Sequence, residues 1–283
     1  MPSGSCGVSK WQVTGPIEPL VIAHSQLDGG IPPLIFIHAF GCARNDWDAQ
    51  LKRFAPDHHC IAVDLGGHGE TPARQNHRTV EAHARDIVDL MLAHDLSPAV
   101  VIGNSLGCRV TLDVSGRAPE HVRALVLVDG SRLSPSGATN HAALGADAGP
   151  EHYHAVARRM FAQMFSPDCD PAIVTAMTER AVNIEPAFGM ALLADIGRHD
   201  LEEMERLLGA VSVPVLAIQS TQITADGQRH QLGVGQTSPY LDLLRATVSD
   251  LAIDIVTGSG HYPQVEQPAK VNAALETFLA RFA

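Results

Sequence analysis

Apolar residues fall along the chain in short runs of Val, Ile and Leu bounded by turn residues. The clearest are Pro33 to His38 (PLIFIH), Cys60 to Asp64 (CIAVD), Ala99 to Gly103 (AVVIG), Ala124 to Asp129 (ALVLVD), Pro214 to Gln219 (PVLAIQ) and Leu251 to Val256 (LAIDIV). Runs that stay apolar, without the alternation of a half-wet strand, predict strands buried on both faces, as in a parallel sheet. An earlier run, Pro19 to Ser25 (PLVIAHS), predicts an antiparallel edge strand. Between the runs, Thr79 to Leu96 sets Val80, Ala84, Ile87 and Met91 on one helical face, and Leu106 to Ala118 and Ala269 to Phe282 also read as helices. Strands and helices in alternation predict an α/β fold, a mostly parallel central sheet with helices on both faces.

From about Leu133 to Leu208 the strand rhythm stops. A loop-like stretch is followed by short helical patterns in HYHAVARRMFAQMF, PAIVTAMTERAV and EEMERLLGA. Residues 133–208 are therefore expected to form a helical cap, inserted between core segments 1–132 and 209–283. The competing expectation is that these helices complete the outer layer of the sheet.

Composition narrows the function. The chain has 283 residues, 45% apolar and 18% charged, enough to bury a large core and too apolar for disorder. Its formal charge of −11 gives no basic field for a phosphate backbone or an anionic membrane. Five cysteines, odd in number and without a C-x-x-C pair, argue against a disulfide framework or a zinc site. Neither His58-His59 nor His152-Tyr153-His154 has metal-ligand spacing, so no metal is expected. The first residues carry no signal-like pattern, and no apolar run approaches the roughly 20 residues of a membrane span. The expectation is a soluble, cytoplasmic monomer or homodimer acting on a small molecule.

The strongest chemical signal is Gly103-Asn104-Ser105-Leu106-Gly107, a G-x-S-x-G between a strand and a helix. In that context the serine sits on a strained turn and its hydroxyl stands at the carboxyl edge of the sheet, at a helix N-terminus that favours negative charge. A serine needs a base, and His261, in the loop Gly258-Ser259-Gly260-His261 after a strand, is expected at the same edge. Leu106 N–H supplies one donor to an oxyanion, and Phe40 N–H, in the turn His38-Ala39-Phe40-Gly41, is the candidate for the second. His68 reads as a structural turn residue.

Taken in order, these motifs resemble those of α/β-hydrolase-fold enzymes with a helical cap. HAFG at 38–41 resembles the family's H-G-F-G oxyanion loop, DLGGHGET at 64–71 its D-x-P-G-H-G-x-S turn, GNSLG its nucleophile elbow, and GSGHYPQVEQP at 258–268 its G-x-G-H-x-x-x-x-E-x-P ending. The resemblance implies nucleophile, base and oxyanion roles for Ser105, His261, Leu106 and Phe40. Ala39 and Cys108 stand where the family commonly has glycine, and Cys108 is expected only to pack. The family's acid usually follows the strand equivalent to PVLAIQ, where this chain reads Ser220-Thr221-Gln222-Ile223-Thr224 with no acid before Asp226. Some members place it one strand earlier, which here is Asp129. Asp129 is the first candidate and Asp226 the alternative.

This machinery implies attack by Ser105 on a carbonyl and an acyl-serine intermediate, with no cofactor. The expected reaction is hydrolysis of a carboxylic ester or lactone. Asn104 before the serine resembles the family's hydrolases of carbon–carbon bonds in ring-fission products, the alternative activity; a slow-turnover ligand receptor on the same fold is the reading of a different class. Phe40, Asn104, Met160, Met164 and Tyr262 are expected to line the substrate pocket, with Phe161, Phe165, Phe188 and Met190 as further cap candidates. Arg44 and Arg132 are expected to grip a substrate carboxylate.

Overall fold

The computed structural model describes residues 8–12, 21–133, 149–224 and 227–282. Eight strands form one sheet: β1 (Val8–Gln12), β2 (Val21–Leu27), β3 (Leu34–Ile37), β4 (Cys60–Val63), β5 (Ala99–Asn104), β6 (Val122–Val128), β7 (Val215–Gln219) and β10 (Leu251–Ile255). Their spatial order is β1-β2-β4-β3-β5-β6-β7-β10. From β4 to β10 every neighbouring pair is parallel. The run Pro19 to Ser25 contributes β2, which is antiparallel as expected but is not an edge, because β1 pairs outside it.

Burial on both faces explains the apolar runs of the inner strands β3, β4, β5 and β7, whereas β10, at the sheet edge, is only half-buried and carries the exposed Asp254. Successive residues of one strand point to opposite sides, so Leu34 and Phe36 join Trp47, Leu275 and Phe278 on one side, while Ile35 and Ile37 join Ile87, Leu90 and Val110 on the other. The first side is covered by α1 (Asp48–Phe54) and α10 (Pro268–Leu279), the second by α2 (Val80–Ala93), α3 (Leu106–Arg117) and α8 (Pro239–Thr247).

Between β6 and β7 the described residues form α4 (Pro150–Phe161), α5 (Pro171–Val182), α6 (Pro186–Glu202) and α7 (Met204–Ala210). α5 and α6 start as proline-led helices should. The prolines occupy positions whose N–H would be unpaired anyway, and the Asp170 and Glu185 carboxylates accept the next free amides, from Ala172 at 2.8 Å and Phe188 at 2.7 Å.

The four helices divide in two. A Cβ on Gly41, beside the oxyanion turn, would collide with Ala181 of α5 and Phe161 of α4, so these two helices roof the carboxyl edge of the sheet. α6 and α7 extend the outer layer instead. Asp195 of α6 accepts the Val80 amide that opens α2 at 2.8 Å, and Leu207 of α7 packs on Gly116 of α3. Cap and outer layer, weighed as rivals from the sequence, are both present.

After β7 the chain makes a small antiparallel hairpin, β8 (Thr221–Ile223) with β9 (Arg229–Gln231). A short α9 (Pro263–Glu266) precedes α10. No helix among the described residues is long and apolar enough to cross a membrane.

Candidate active site

Ser105 lies between β5 and α3 with φ +55° and ψ −105°. For a residue with a Cβ that region costs about 1–3 kcal/mol, and surrounding structure must impose it. The flanking glycines are what make the turn possible. A Cβ on Gly103 would sit 2.2 Å from the Gly107 carbonyl, and one on Gly107 would sit 2.3 Å from the Ile37 carbonyl oxygen. The elbow thus folds onto itself and onto β3 at distances that no side chain tolerates. Leu106 opens α3, where amides have no acceptor within the helix.

The opposing turn is fixed by a histidine. His38 Nε2 accepts the Leu65 amide at 3.0 Å, so its proton sits on Nδ1 and is donated to the Ala39 carbonyl at 2.7 Å. The Cys42 amide also donates to that carbonyl. Because the Ala39 carbonyl and the Phe40 N–H belong to one planar trans peptide, pinning the first aims the second the opposite way. Among the described residues the Phe40 N–H meets no acceptor. His68 packs its ring against Phe40 and His38, at 5.6 Å and 5.0 Å between centroids, and bonds the Gly66 carbonyl.

Asp129 stands one residue past the end of β6 in a left-handed conformation, φ +43°. Its carboxylate is buried and crowded with donors. Oδ1 accepts from the amides of Ser220 and Thr221 at 2.8 and 2.7 Å and from the Ser220 hydroxyl at 2.9 Å. Oδ2 accepts from the Thr221 hydroxyl at 2.5 Å, His261 Nδ1 at 2.6 Å and Arg229 Nη1 at 3.2 Å. The carboxylate that faces His261 thus comes from the end of β6 and not from the turn after β7. β6 and β7 are adjacent parallel strands, so a carboxylate at the end of one reaches the turn after the other, where Ser220 and Thr221 receive it. Asp226 lies outside the described residues.

Burial alone would push the Asp129 carboxyl up. The hydrogen bond and charge of His261, with Arg229 and Thr221, outweigh it and hold the group below the usual carboxylate range. Burial and then repulsion from Arg229 drive His261 down to about 4, against the pull of Asp129. The imidazole is therefore neutral near pH 7. Its Nε2 is buried with no hydrogen-bond partner among the described residues. Ser105 and His261 both open on a cavity of about 650 Å³, and no hydrogen bond joins them in this conformation. Such contacts often tighten only when substrate binds.

His261 is held from above and below. Its amide donates to the Met164 carbonyl, after α4, at 2.5 Å. A Cβ on Gly260 would strike that same carbonyl at 2.3 Å, which explains the glycine before the histidine. Asn104 Nδ2 donates to the carbonyls of His261 and Val128 at 3.1 and 2.9 Å.

Of the expected pocket residues, Phe40, Met160, Met164 and Tyr262 line the cavity and Asn104 does not. Asn104 is buried as a strut beneath His261. Arg44 and Arg132 are corrections as well. Arg44 is clamped by Asp64 and by Glu70 at 2.8 Å, and Arg132 by Glu205 at 2.5 Å and the Asp200 carbonyl at 3.1 Å; neither reaches the cavity. Cys108 is buried and bonds the Gly103 carbonyl at 3.1 Å, and burial pushes its thiol up to about 12, which makes it inert packing.

The sequence reading missed three arginines on the cavity wall, Arg109, Arg159 and Arg229. Arg109 alone had a readable signal. It stands one helical turn after Ser105, and its Nη1 folds back to the Ser105 carbonyl at 3.2 Å. Among the described residues no His, Cys, Asp and Glu side chains converge as a metal site.

A sequence-family model described as alpha/beta hydrolase fold matches residues 32–159. A Pseudomonas putida protein, the dihydrolipoyllysine-residue acetyltransferase component of an acetoin cleaving system, is 26% identical over 265 residues, which are 90% of this chain and 65% of that one. The chain thus spans just under two thirds of that relative. A thermophilic esterase from Thermogutta terrifontis superposes with TM-score 0.80 at 21% identity, covering 97% of this chain and 98% of the other. The enol-lactonase of Burkholderia xenovorans LB400 gives TM-score 0.77 at 17% identity over 92% and 97%. The strand order, the elbow between β5 and α3, and these likenesses give the chain the α/β-hydrolase fold.

Proposed function

We propose that the protein is a serine hydrolase that cleaves a carboxylic ester or lactone through an acyl-serine. The observation that carries this reading is the Asp129–His261 pair, 2.6 Å apart and buried, on the same cavity as a serine in a strained elbow. His261 Nε2 takes the Ser105 proton as Oγ attacks the carbonyl carbon. The amides of Phe40 and Leu106 receive the charge on the carbonyl oxygen, each such donor contributing about 3–4 kcal/mol to the transition state. Collapse expels the alkoxide, which leaves with the proton from His261; water, deprotonated by the same nitrogen, then releases the acid. Asp129 holds Nδ1–H in place and stabilises the imidazolium. The esterase and lactonase folds that superpose on this chain agree with the reaction class. Asn104, the residue behind a carbon–carbon reading, is turned into the core and lends that reading no support.

A fluorophosphonate probe tests the reading. Wild type should be labelled on Ser105 and should hydrolyse a short 4-nitrophenyl ester, and Ser105→Ala should do neither. Equal, slow hydrolysis by both proteins would overturn it, and labelling without turnover would support the receptor instead.

The buried imidazole also sets a pH dependence. The base must be neutral, and its folded-state value lies near 4, below the ordinary 6.5. On lowering the pH, kcat/KM should stay flat through 6.5 and fall only as the pH approaches 4 to 5. A titration of kcat/KM on a neutral ester with an inflection near 6.5 would show that the imidazole is not shielded as described.

A further inference from the structure

We propose that the substrate carries a carboxylate, seated against the guanidinium groups of Arg159 and Arg229, so that the bond cleaved belongs to a half-ester or a carboxylated lactone. This rests on the hydrolase reading and adds the substrate class.

The charges on the cavity wall favour an anion. Three arginines line it, and no Asp or Glu does so among the described residues. Arg109 is neutralised by Asp200, which takes its Nε and Nη2 at 2.7 and 2.6 Å. Arg229, only 7% exposed, faces Asp129 at 3.2 Å, yet that carboxylate is shared with His261 and with four hydrogen bonds from Ser220 and Thr221. Arg159, near the end of α4, has no ion pair or hydrogen bond among the described residues. Asp200 and Asp129 each balance one guanidinium, which leaves one positive charge in excess.

A chain of net charge −11 repels anions in general. A cavity that has no lining acid and is one charge positive among the described residues reverses that locally, and a low-dielectric wall focuses the effect. The remaining wall is mainly apolar, with Leu133, Val156, Met160 and Ile196 among its members. Such a wall suits an aliphatic body ending in a single anion. The guanidinium fork matches a carboxylate in shape and charge, whereas a dianionic phosphate would leave negative charge uncompensated. Gln163 Oε1 accepts the Arg229 amide at 3.2 Å and so ties the hairpin that carries Arg229 to the chain just after α4.

Calorimetry on Ser105→Ala, which binds without turning over, separates this proposal from the reaction. Monomethyl glutarate should bind at least tenfold more tightly than neutral dimethyl glutarate. Adding Arg159→Gln should erase most of that preference, and Arg159→Lys should retain part of it; Arg229→Gln should act in the same direction. Equal affinity for the two esters, no binding of the half-ester, or a preference that survives Arg159→Gln would overturn the proposal. If the preference holds while wild type cleaves no ester, the anion seat stands and the hydrolase reading falls. If neutral esters are cleaved without the preference, the reverse is true.

Discussion

Asp129→Asn should lower kcat for ester hydrolysis about 10⁴-fold, by analogy with the loss when a triad acid becomes an amide. The donors around the side chain dictate why. Two amide protons, from Ser220 and Thr221, converge on Oδ1, and the single proton of the Ser220 hydroxyl lies between Oδ1 and the Gly260 carbonyl. An asparagine keeps its oxygen there and must turn its NH2 toward His261. A donor facing Nδ1 forces the ring proton onto Nε2, the nitrogen that has to take the Ser105 proton, and the base is lost without any change of shape. The same amide faces Arg229 and removes its counter-charge, which opposes the imidazolium further. Steady-state hydrolysis of a 4-nitrophenyl ester by the variant measures this, with circular dichroism to verify folding. A loss below tenfold would mean that another carboxylate serves His261, and Asp226→Asn, assayed alongside, would then carry the larger loss.

How far the sequence reaches depends on how local each signal is. Gly103, Ser105 and Gly107 lie within five positions, and their spacing encodes the turn even though the contact that requires Gly107 is with Ile37 of β3. The runs of the inner strands β3, β4, β5 and β7 were legible because burial on both faces leaves no polar positions to break them. β8 and β9 are three residues each and rich in polar side chains, so nothing marked them, and Arg229 went unseen with them. α6 was missed for a related reason: Gly189, Gly197 and two buried aspartates interrupt a helix whose length is set by packing on the core rather than by propensity. Arg44 and Arg132 were placed at the site because they sit near its motifs in the chain. Proximity along the chain says nothing of direction, and carboxylates 20 and 73 positions away claim them. Asp129 is intermediate. Family resemblance offered two positions, and only the pairing of β6 with β7 brings Ser220 and Thr221 around one of them.

The second large effect lies beneath the site rather than in it. Asp200→Ala should cost about 3–5 kcal/mol of stability, because it leaves the Arg109 guanidinium buried without a counter-charge. Both side chains are within 3% of complete burial, and both oxygens of Asp200 are engaged, Oδ2 also accepting the Leu133 amide at 2.8 Å. Natural domains have roughly 5–15 kcal/mol in hand, so the loss is a large share of the whole. Urea unfolding followed by fluorescence gives the number, and a fall under 1 kcal/mol would mean that water or another carboxylate reaches Arg109. Replacing the pair together, Arg109→Met with Asp200→Leu, separates two causes. A bare ion pair is often matched in stability by apolar residues of similar volume. Arg109, however, also donates to the carbonyls of Ser105 and Ser131, at 3.2 and 2.9 Å. The double variant should therefore recover part of the stability and little of the activity, since the Ser105 carbonyl loses the donor that helps hold the elbow in its strained turn. Full recovery of both would show that Ser105 keeps its conformation from the glycines and β3 alone.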